Sequence, residues 1–554
     1  MSGAVVNQTL LVKSRASPPD WTGEMLVAPP YESITFSDAR KADAFCRIGD
    51  EVATIGKENW KRRATHGAGD DGTGDFSMRS RQRLGLFLTA VFLLLSWGCG
   101  GTGSTPAPST PAPLSACNVN LIFVVSKDLT NNAAGDVNSN TANLTNQGLQ
   151  RSLRMAPFLK QNVLGGKNVT GIYALEPMTH LQTTGNYPDM VALETIQQFA
   201  LLNHVTLPSE NLGQQYTGNS FPLNASYAFV PPSGVAPPLL FCGGCQGLDF
   251  NDENSDNEAL VAGPFGILGN NVPGFYVFSS PWETTSSLLA NINQLKGYNL
   301  TLPASYQGPN YIYAISVTPS GSASLVTFNS NVTPPSTYPV LPSPKLVSSP
   351  CTTSAFNIAA TGAPQGTNTN ETLYLMRHAE AHPTGDWEDA NYVAAGQWRA
   401  LDLPNALRGK ISPTQVYSID PAQVIPDGHN SWSYVRPSLT VEPYAIANNL
   451  PYYLISNFEL FAQTSPQQTI DFFLKDPRFS GETVLLAWEH EHFPPTVNLL
   501  LSSYGSAQRA PAWPDDDYDT IWTVKLDAQS NLTVDNAICE GINSATLPAT
   551  APQF

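Results

Sequence analysis

With 554 residues the chain is too long for one ordinary domain, and 42% hydrophobic against 13% charged side chains excludes a disordered chain and suits globular, extracytoplasmic material. Its formal net charge of −17 offers no basic stripe to neutralise phosphates, which excludes nucleic acid as a partner while leaving room for a local cationic pocket. Residues 1–77 carry no sustained helical or strand period and no strand-length apolar run with turn signals. A different segment opens at Met78, MRSRQRLGLFLTAVFLLLSWGCGG, with Arg79, Arg81 and Arg83 ahead of an apolar run from Leu84 to Leu95, then small residues and Cys99.

That segment resembles a bacterial lipoprotein signal over residues 78–98. The resemblance implies translation from Met78, residues 1–77 as a misassigned extension, and Cys99 as the lipidated first residue of the mature chain, anchored to a bacterial membrane at the periplasm or cell surface. Trp97 stands where such signals have a small residue, and the alternative is an uncleaved anchor, although about 12 apolar residues are few for a span. Without residues 1–98 the chain keeps 16 basic and 34 acidic side chains, so the mature protein stays strongly acidic. Residues 99–116, rich in Pro, Ala, Ser and Thr, read as an extended tether. Beyond it Cys117, Cys242, Cys245, Cys351 and Cys539 favour disulfides in an oxidising compartment, with Cys351 and Cys539 bracketing the C-terminal region as a candidate bridge and one thiol left over.

Two stretches carry the same landmarks in the same order. LYLMRHAE answers LIFVVSKD, DANYVAAGQWRA answers TANLTNQGLQRS, PTQVYSIDP answers VTGIYALEP, and LTVEPYAIANNL answers ETIQQFALLNHV. Further on, TVLLAWEHEHFPPTVNLLLSSYG answers GFYVFSSPWETTSSLLANINQLKG, and DYDTIWTVKLD answers PNYIYAISVTP. The expectation is two tandem copies of one domain, residues 117–332 and 351–545, joined by a Pro/Ser-rich linker at 333–350. In each, short apolar strands alternate with helix-like stretches such as AAGQWRALDLPNAL, which predicts three-layer α/β domains, each with a largely parallel sheet. Ligands gather at the carboxyl ends of such strands, where His378 follows LYLM and His490 follows TVLLAW.

LYLMRHAEA resembles the Arg-His signature of the histidine phosphatase (phosphoglycerate mutase-like) superfamily. VYSIDP with SYVRPSLTVEP resembles its second segment, VLLAWEHEHFPPTVNLL its second-histidine segment, and WPDDDYDTIWTV the final strand of some members. The likeness is close over residues 371–527 and extends to 119–318 only in framework. It implies hydrolysis of phosphomonoesters, without cofactor or metal, through a phosphohistidine on His378. A phosphomonoester is nearly a dianion, so a neutral imidazole suits as nucleophile and a cationic cage must strengthen as charge shifts. Arg377 and Arg436 would give planar forks to the phosphoryl oxygens, and protonated His490 the remaining donor. For the acid that protonates the leaving oxygen, one branch of the family points to Glu491, directly after the second histidine; the other uses an inserted loop, where Glu459 or Glu442 could serve. The chain departs from the commonest first motif in having Ala379 where glycine is usual.

His382, His429 and His492 read as solvated surface groups, and HEH at 490–492 has a second reading as a metal pair, with no further ligand cluster at suitable spacing. In the first copy Ser126 and Lys127 stand for Arg377 and His378, Val191 for Arg436 and Pro281 for His490, so that copy is expected to be a degenerate, non-catalytic partner. CGGC at 242–245 reads as a small disulfide loop, and DFNDENSDNE at 249–258 as a solvated loop lacking the glycine and terminal glutamate of a calcium loop. The competing function is a non-catalytic lipoprotein scaffold that captures anionic ligands in the same pocket. Substrate and oligomeric state are not legible.

Overall fold

The computed structural model describes residues 111–131, 135–182, 185–208, 215–219, 221–225, 246–252, 255–349, 354–381, 389–421, 424–427, 430–455 and 465–554. All of them belong to one compact unit, Ala68–Phe554; the other unit is Met1–Gly67. Cys99, Cys242, Cys245, Cys351, His382, His429 and Glu459 lie outside the described residues, as does the Met78 segment. No helix among the described residues is long and apolar enough to cross a membrane.

The first half runs β1 (Val119–Val125), α1 (Asn146–Phe158), β2 (Gly171–Ala174), α2 (Val191–Leu201), β3 (His204–Pro208), β4 (Gln215–Asn219), α3 (Asp256–Ala262), α4 (Ile267–Asn270), β5 (Gly274–Ser280), α5 (Trp282–Lys296), β6 (Tyr311–Val317) and β7 (Ala323–Asn329). The second runs β8 (Asn357–Ala360), β9 (Glu371–Arg377), α6 (Ala394–Ala406), β10 (Gln415–Ile419), β11 (Val424–Asp427), β12 (Asn430–Ser433), α7 (Arg436–Asn448), β13 (Tyr452–Ile455), α8 (Pro466–Lys475), β14 (Thr483–Trp488), α9 (Phe493–Ser503), β15 (Thr520–Leu526) and β16 (Leu532–Cys539).

The two large sheets have the orders β2-β5-β1-β6-β7 and β13-β10-β14-β9-β15-β16-β8, and β3–β4 and β11–β12 form two-stranded sheets of their own. The expectation of largely parallel sheets is corrected. β2, β5 and β1 pair in parallel, as do β13, β10, β14 and β9, but every other pairing in the two sheets is antiparallel. The cause is local. Tight turns close the hairpins β6–β7 and β15–β16, the second around Asp527, whose Oδ1 accepts the backbone N–H groups of Gln529 and Asn531 at 2.8 Å each. The central strand β1, VNLIFVV, is buried along its whole length, as a strand covered on both faces requires.

Helix starts follow from local chemistry. Thr145 caps α1 by accepting the Gly148 N–H at 3.1 Å. Pro437 sits in the first turn of α7, where its missing N–H costs nothing. Pro443, inside α7, cannot donate to the Leu439 carbonyl; the Tyr392 hydroxyl donates to that oxygen instead, at 3.4 Å. One hydrophobic cluster contains Ile122, Ile196 and Phe199 of the first half together with Leu403, Leu439 and Ala445 of the second, so the halves share a core. Across it Gln197 and Asn391 exchange amide hydrogen bonds at 2.8 and 3.1 Å.

The stretch expected as a linker is strapped to the body: Gln150 Nε2 donates to Thr337 O at 3.0 Å and the Tyr338 hydroxyl to Leu401 O at 3.0 Å. Residues beyond 545 also pack, with Trp398 Nε1 donating to Thr550 O at 2.8 Å. Cys117 and Cys539 each take part in a disulfide.

Candidate active site

His378 follows β9, and its N–H donates to Trp488 O at 3.1 Å, extending the parallel pairing of β9 with β14 by one rung. The parallel register therefore carries Glu489 and His490 to the carboxyl edge beside it. His378 Nδ1 lies 2.7 Å from the Ala379 carbonyl, an atom that only accepts, so Nδ1 carries a proton. Its Nε2 faces Glu489 Oε2 at 2.9 Å. The other oxygen, Oε1, is hydrogen-bonded by His490 Nδ1 and by the His490 backbone N–H. The Tyr434 hydroxyl donates to Oε2 at 2.8 Å.

The arginines close round this chain. Arg436 is the first residue of α7, and Thr440 one turn on accepts the Ala379 N–H at 2.9 Å while donating to Arg436 O at 2.7 Å, so the helix start and the turn after His378 are tied together. The Arg436 guanidinium carbon stands 5.2 Å from the Tyr434 ring centre, and the Tyr434 ring packs edge-on to His378. The Arg377 guanidinium stacks on Tyr518 at 3.8 Å and donates through Nη1 to the carbonyl of Asp515. Tyr518 in turn packs edge-on to His378. His490 Nε2 reaches the exposed Asp515 carboxylate at 3.3 Å.

Electrostatics follow the geometry. Burial pushes His378 below its ordinary value, with Arg436 and Arg377 adding to the effect and Glu489 opposing it. Burial alone would raise the Glu489 carboxyl, but the charge and hydrogen bond of His378, the hydrogen bond of His490 and the charge of Arg436 outweigh it and hold the group well below the usual range.

Thus Arg377, His378, Arg436 and His490 meet in one place. Glu491 is exposed on the short turn His490–His492. Glu442 is also elsewhere: wholly buried on α7 beside Glu194 of α2, whose charge adds to burial in raising it, it lies in the interface between halves. His492, expected as a solvated surface group, is half-buried and stacks on Trp488, with ring centres 4.2 Å apart. Among the described residues no group of three or more His, Cys, Asp or Glu is placed to hold a metal ion. Sequence reasoning missed Glu489, Tyr434 and Tyr518. The first could have been found from register, because the residue after Trp488 must fall beside His378 once β9 and β14 are neighbours.

The other sheet offers a direct comparison. Ser126 N–H donates to Ser280 O at 2.9 Å, as His378 does to Trp488 O. By this rung Val125 and Ser126, not Ser126 and Lys127, occupy the places of Arg377 and His378, and Trp282, not Pro281, that of His490. The residues named from the sequence are one position off at both strand ends, although LIFVVSKD set against LYLMRHAE already pairs Val125 with Arg377. Val191 opens α2 as Arg436 opens α7.

No family model matches the sequence, and no curated protein matches it. Among the solved structures that align with parts of the chain are two named as phosphohistidine phosphatases. One, named as the phosphohistidine phosphatase SixA of Agrobacterium tumefaciens, is 14% identical, covering 28% of this chain and 91% of its own, with a TM-score of 0.18. The other, named as SixA of Nakamurella multipartitia, is 16% identical, covering 30% of this chain and 96% of its own, with a TM-score of 0.20.

Proposed function

We propose that the protein is a phosphatase of the histidine type, hydrolysing phosphomonoesters through a phosphohistidine on His378. The observation that carries this reading is the convergence of two histidines and two arginines at the carboxyl edge of one sheet, beside the first turn of α7. A tetrahedral dianion fits that environment, since guanidinium forks and a helix N-terminus both favour phosphoryl oxygens. The His378 proton on Nδ1 leaves Nε2 as the atom for attack. Arg377, Arg436 and His490 would hold the phosphoryl oxygens as charge moves onto the leaving group.

In this reading residues 117–332 and 351–545 are copies of one domain. The shared order of β2-β5-β1-β6-β7 and β10-β14-β9-β15-β16 supports it. The first copy has valine, serine, valine and tryptophan where the second has its cage, and it serves as a non-catalytic partner. The mature chain would be held by lipid at Cys99 outside the bacterial cytoplasm, and small phosphomonoesters are the substrate class.

The test is hydrolysis of p-nitrophenyl phosphate between pH 4 and 8 by the protein and by His378→Ala. A loss of about 10³-fold or more in the variant, with acid-labile phosphate trapped on the parent protein alone, is expected. Equal rates would remove the enzyme and leave the scaffold that binds anionic ligands.

A further inference from the structure

We infer that Glu489 is the acid–base residue of this site, and that in the ligand-free protein its carboxylate occupies the phosphoryl position. The inference rests on the phosphatase reading and names a residue that the sequence motifs do not.

The occupancy follows from donors. The two oxygens of Glu489 lie between the two imidazoles, with the Tyr434 hydroxyl on Oε2, the His490 backbone N–H on Oε1, and Arg436 alongside. Two non-bridging oxygens of a phosphoryl group would seek the same donors. A carboxylate in that place satisfies buried cationic groups that would otherwise stand uncompensated. An entering phosphoryl group must therefore displace it.

The acid role follows from proton counting. Nδ1 of His378 already donates to a carbonyl, so the 2.9 Å contact between Nε2 and Oε2 exists only with one proton between them. A nucleophile needs that lone pair free. When the substrate displaces Glu489, the shared proton leaves Nε2 with the carboxyl group, and one event creates both nucleophile and acid. Nε2 then bonds to phosphorus as the P–O bond breaks; the electron pair goes to the leaving oxygen, which takes the Glu489 proton and departs as alcohol. In the second half, Glu489 carboxylate takes a proton from water, the water oxygen bonds to phosphorus, and the P–N bond breaks with its electron pair returning to Nε2. Ester and water become alcohol and inorganic phosphate, and the shared proton is restored.

Of the other acids nearby, Glu380 is held by Arg399 and Ser544, Glu442 is buried in the interface beside Glu194, and Asp515 reaches His490 Nε2 from an exposed place and makes no contact with His378.

Two esters separate the roles. An alkyl phosphate needs its leaving oxygen protonated, whereas p-nitrophenolate leaves unaided. Glu489→Gln is expected to lose about 10²–10⁴-fold on an alkyl phosphate. On p-nitrophenyl phosphate it should still release a burst of one nitrophenol per protein within about tenfold of the parent rate, then stall as phosphohistidine. Glu491→Gln should match the parent on both esters. Independently, Glu489→Ala should bind inorganic phosphate more tightly than the parent, by about tenfold, because the internal competitor is gone. In the parent, rates across esters should vary little with leaving-group basicity. Equal losses on the two esters, a steep dependence in the parent, or unchanged phosphate affinity in Glu489→Ala would each overturn the inference while leaving the phosphatase intact. A parent inert on both esters would instead remove the phosphatase reading, and phosphate affinity would still decide the occupancy.

Discussion

Arg399→Met tests the ion cluster behind the site. Arg399 on α6 has a side chain with 0% exposure. Its Nε donates to Glu380 Oε1 at 2.8 Å, Nη1 to Glu540, and Nη2 to Ile542 O at 3.2 Å and Ser544 Oγ at 2.8 Å. Methionine keeps most of the volume and the apolar stem but strands the carboxylates. Removing one member of a buried ion pair costs about 3–5 kcal/mol, because the remaining charge has no water to turn to. Burial raises Glu540 to about 8, so near neutral pH it takes up a proton, which leaves the Glu380 carboxylate and the more distant Asp519 as the stranded partners. The loss therefore falls near the lower end, about 3 kcal/mol. With a urea slope of about 3 kcal/mol per M or more for a chain this large, the unfolding midpoint should drop by about 1 M. Adding Glu380→Gln removes the nearer stranded charge and should restore at least about half of the loss. A midpoint within about 0.2 M of the parent, or a double variant as unstable as the two singles summed, would refute the reasoning.

Stability should also fall from pH 5 to pH 8.5. Burial raises Glu194 to about 7, Glu371 and Glu540 to about 8, and Glu442 well above its ordinary value near 4.5. These groups keep protons that the unfolded chain has already lost, so stability is full below about 4.5 and drains as pH rises through their folded values. Glu442→Gln should flatten the profile, and urea midpoints equal at pH 5.5 and 8.5 would contradict the assignment. Gly148→Ala in α1 should destabilise by more than about 1 kcal/mol despite alanine's better helix propensity, because its Cβ would meet Asp136 O at 2.1 Å. A neutral or stabilising result in urea unfolding would mean that the Asp136 turn gives way.

What was legible in the sequence was what periodicity encodes. QVYSI and TVLLAW are strands with the same ends in the structure, because each is an apolar run stopped by polar residues and their neighbours pair in parallel. The hairpin strand β16 escaped notice: LTVDNAIC alternates in burial from Leu532 to Ala537, but polar Asn536 fills one buried place and a register shift between Ile521 and Thr523 ends the alternation against β15. The convergence of Arg377, His378, Arg436 and His490 could be expected because their motifs are local, whereas the place of Glu489 beside His378 comes from a contact 111 residues away in sequence. Tyr518 sits in an acidic loop with no period at all, and only the stacking of Arg377 reveals it.

The geometry of Arg436 is set from both halves. Its backbone N–H donates to Ala390 O at 3.2 Å, and Asn391, the next residue, is held by Gln197 of α2 and by Phe221 O. On the other side of Arg436, Ser433 Oγ accepts the N–H of Ala225 at 2.9 Å. The first half thus grips the loops on either flank of the arginine while α2 packs on α7 through the Glu194–Glu442 contact. Burial and the neighbouring Glu194 charge hold Glu442 well above its ordinary value, so the two buried acids meet without both being ionised. The first half is therefore held to its fold by the same buried packing that aims the Arg436 guanidinium, and losing that packing would move the guanidinium without touching any residue beside it.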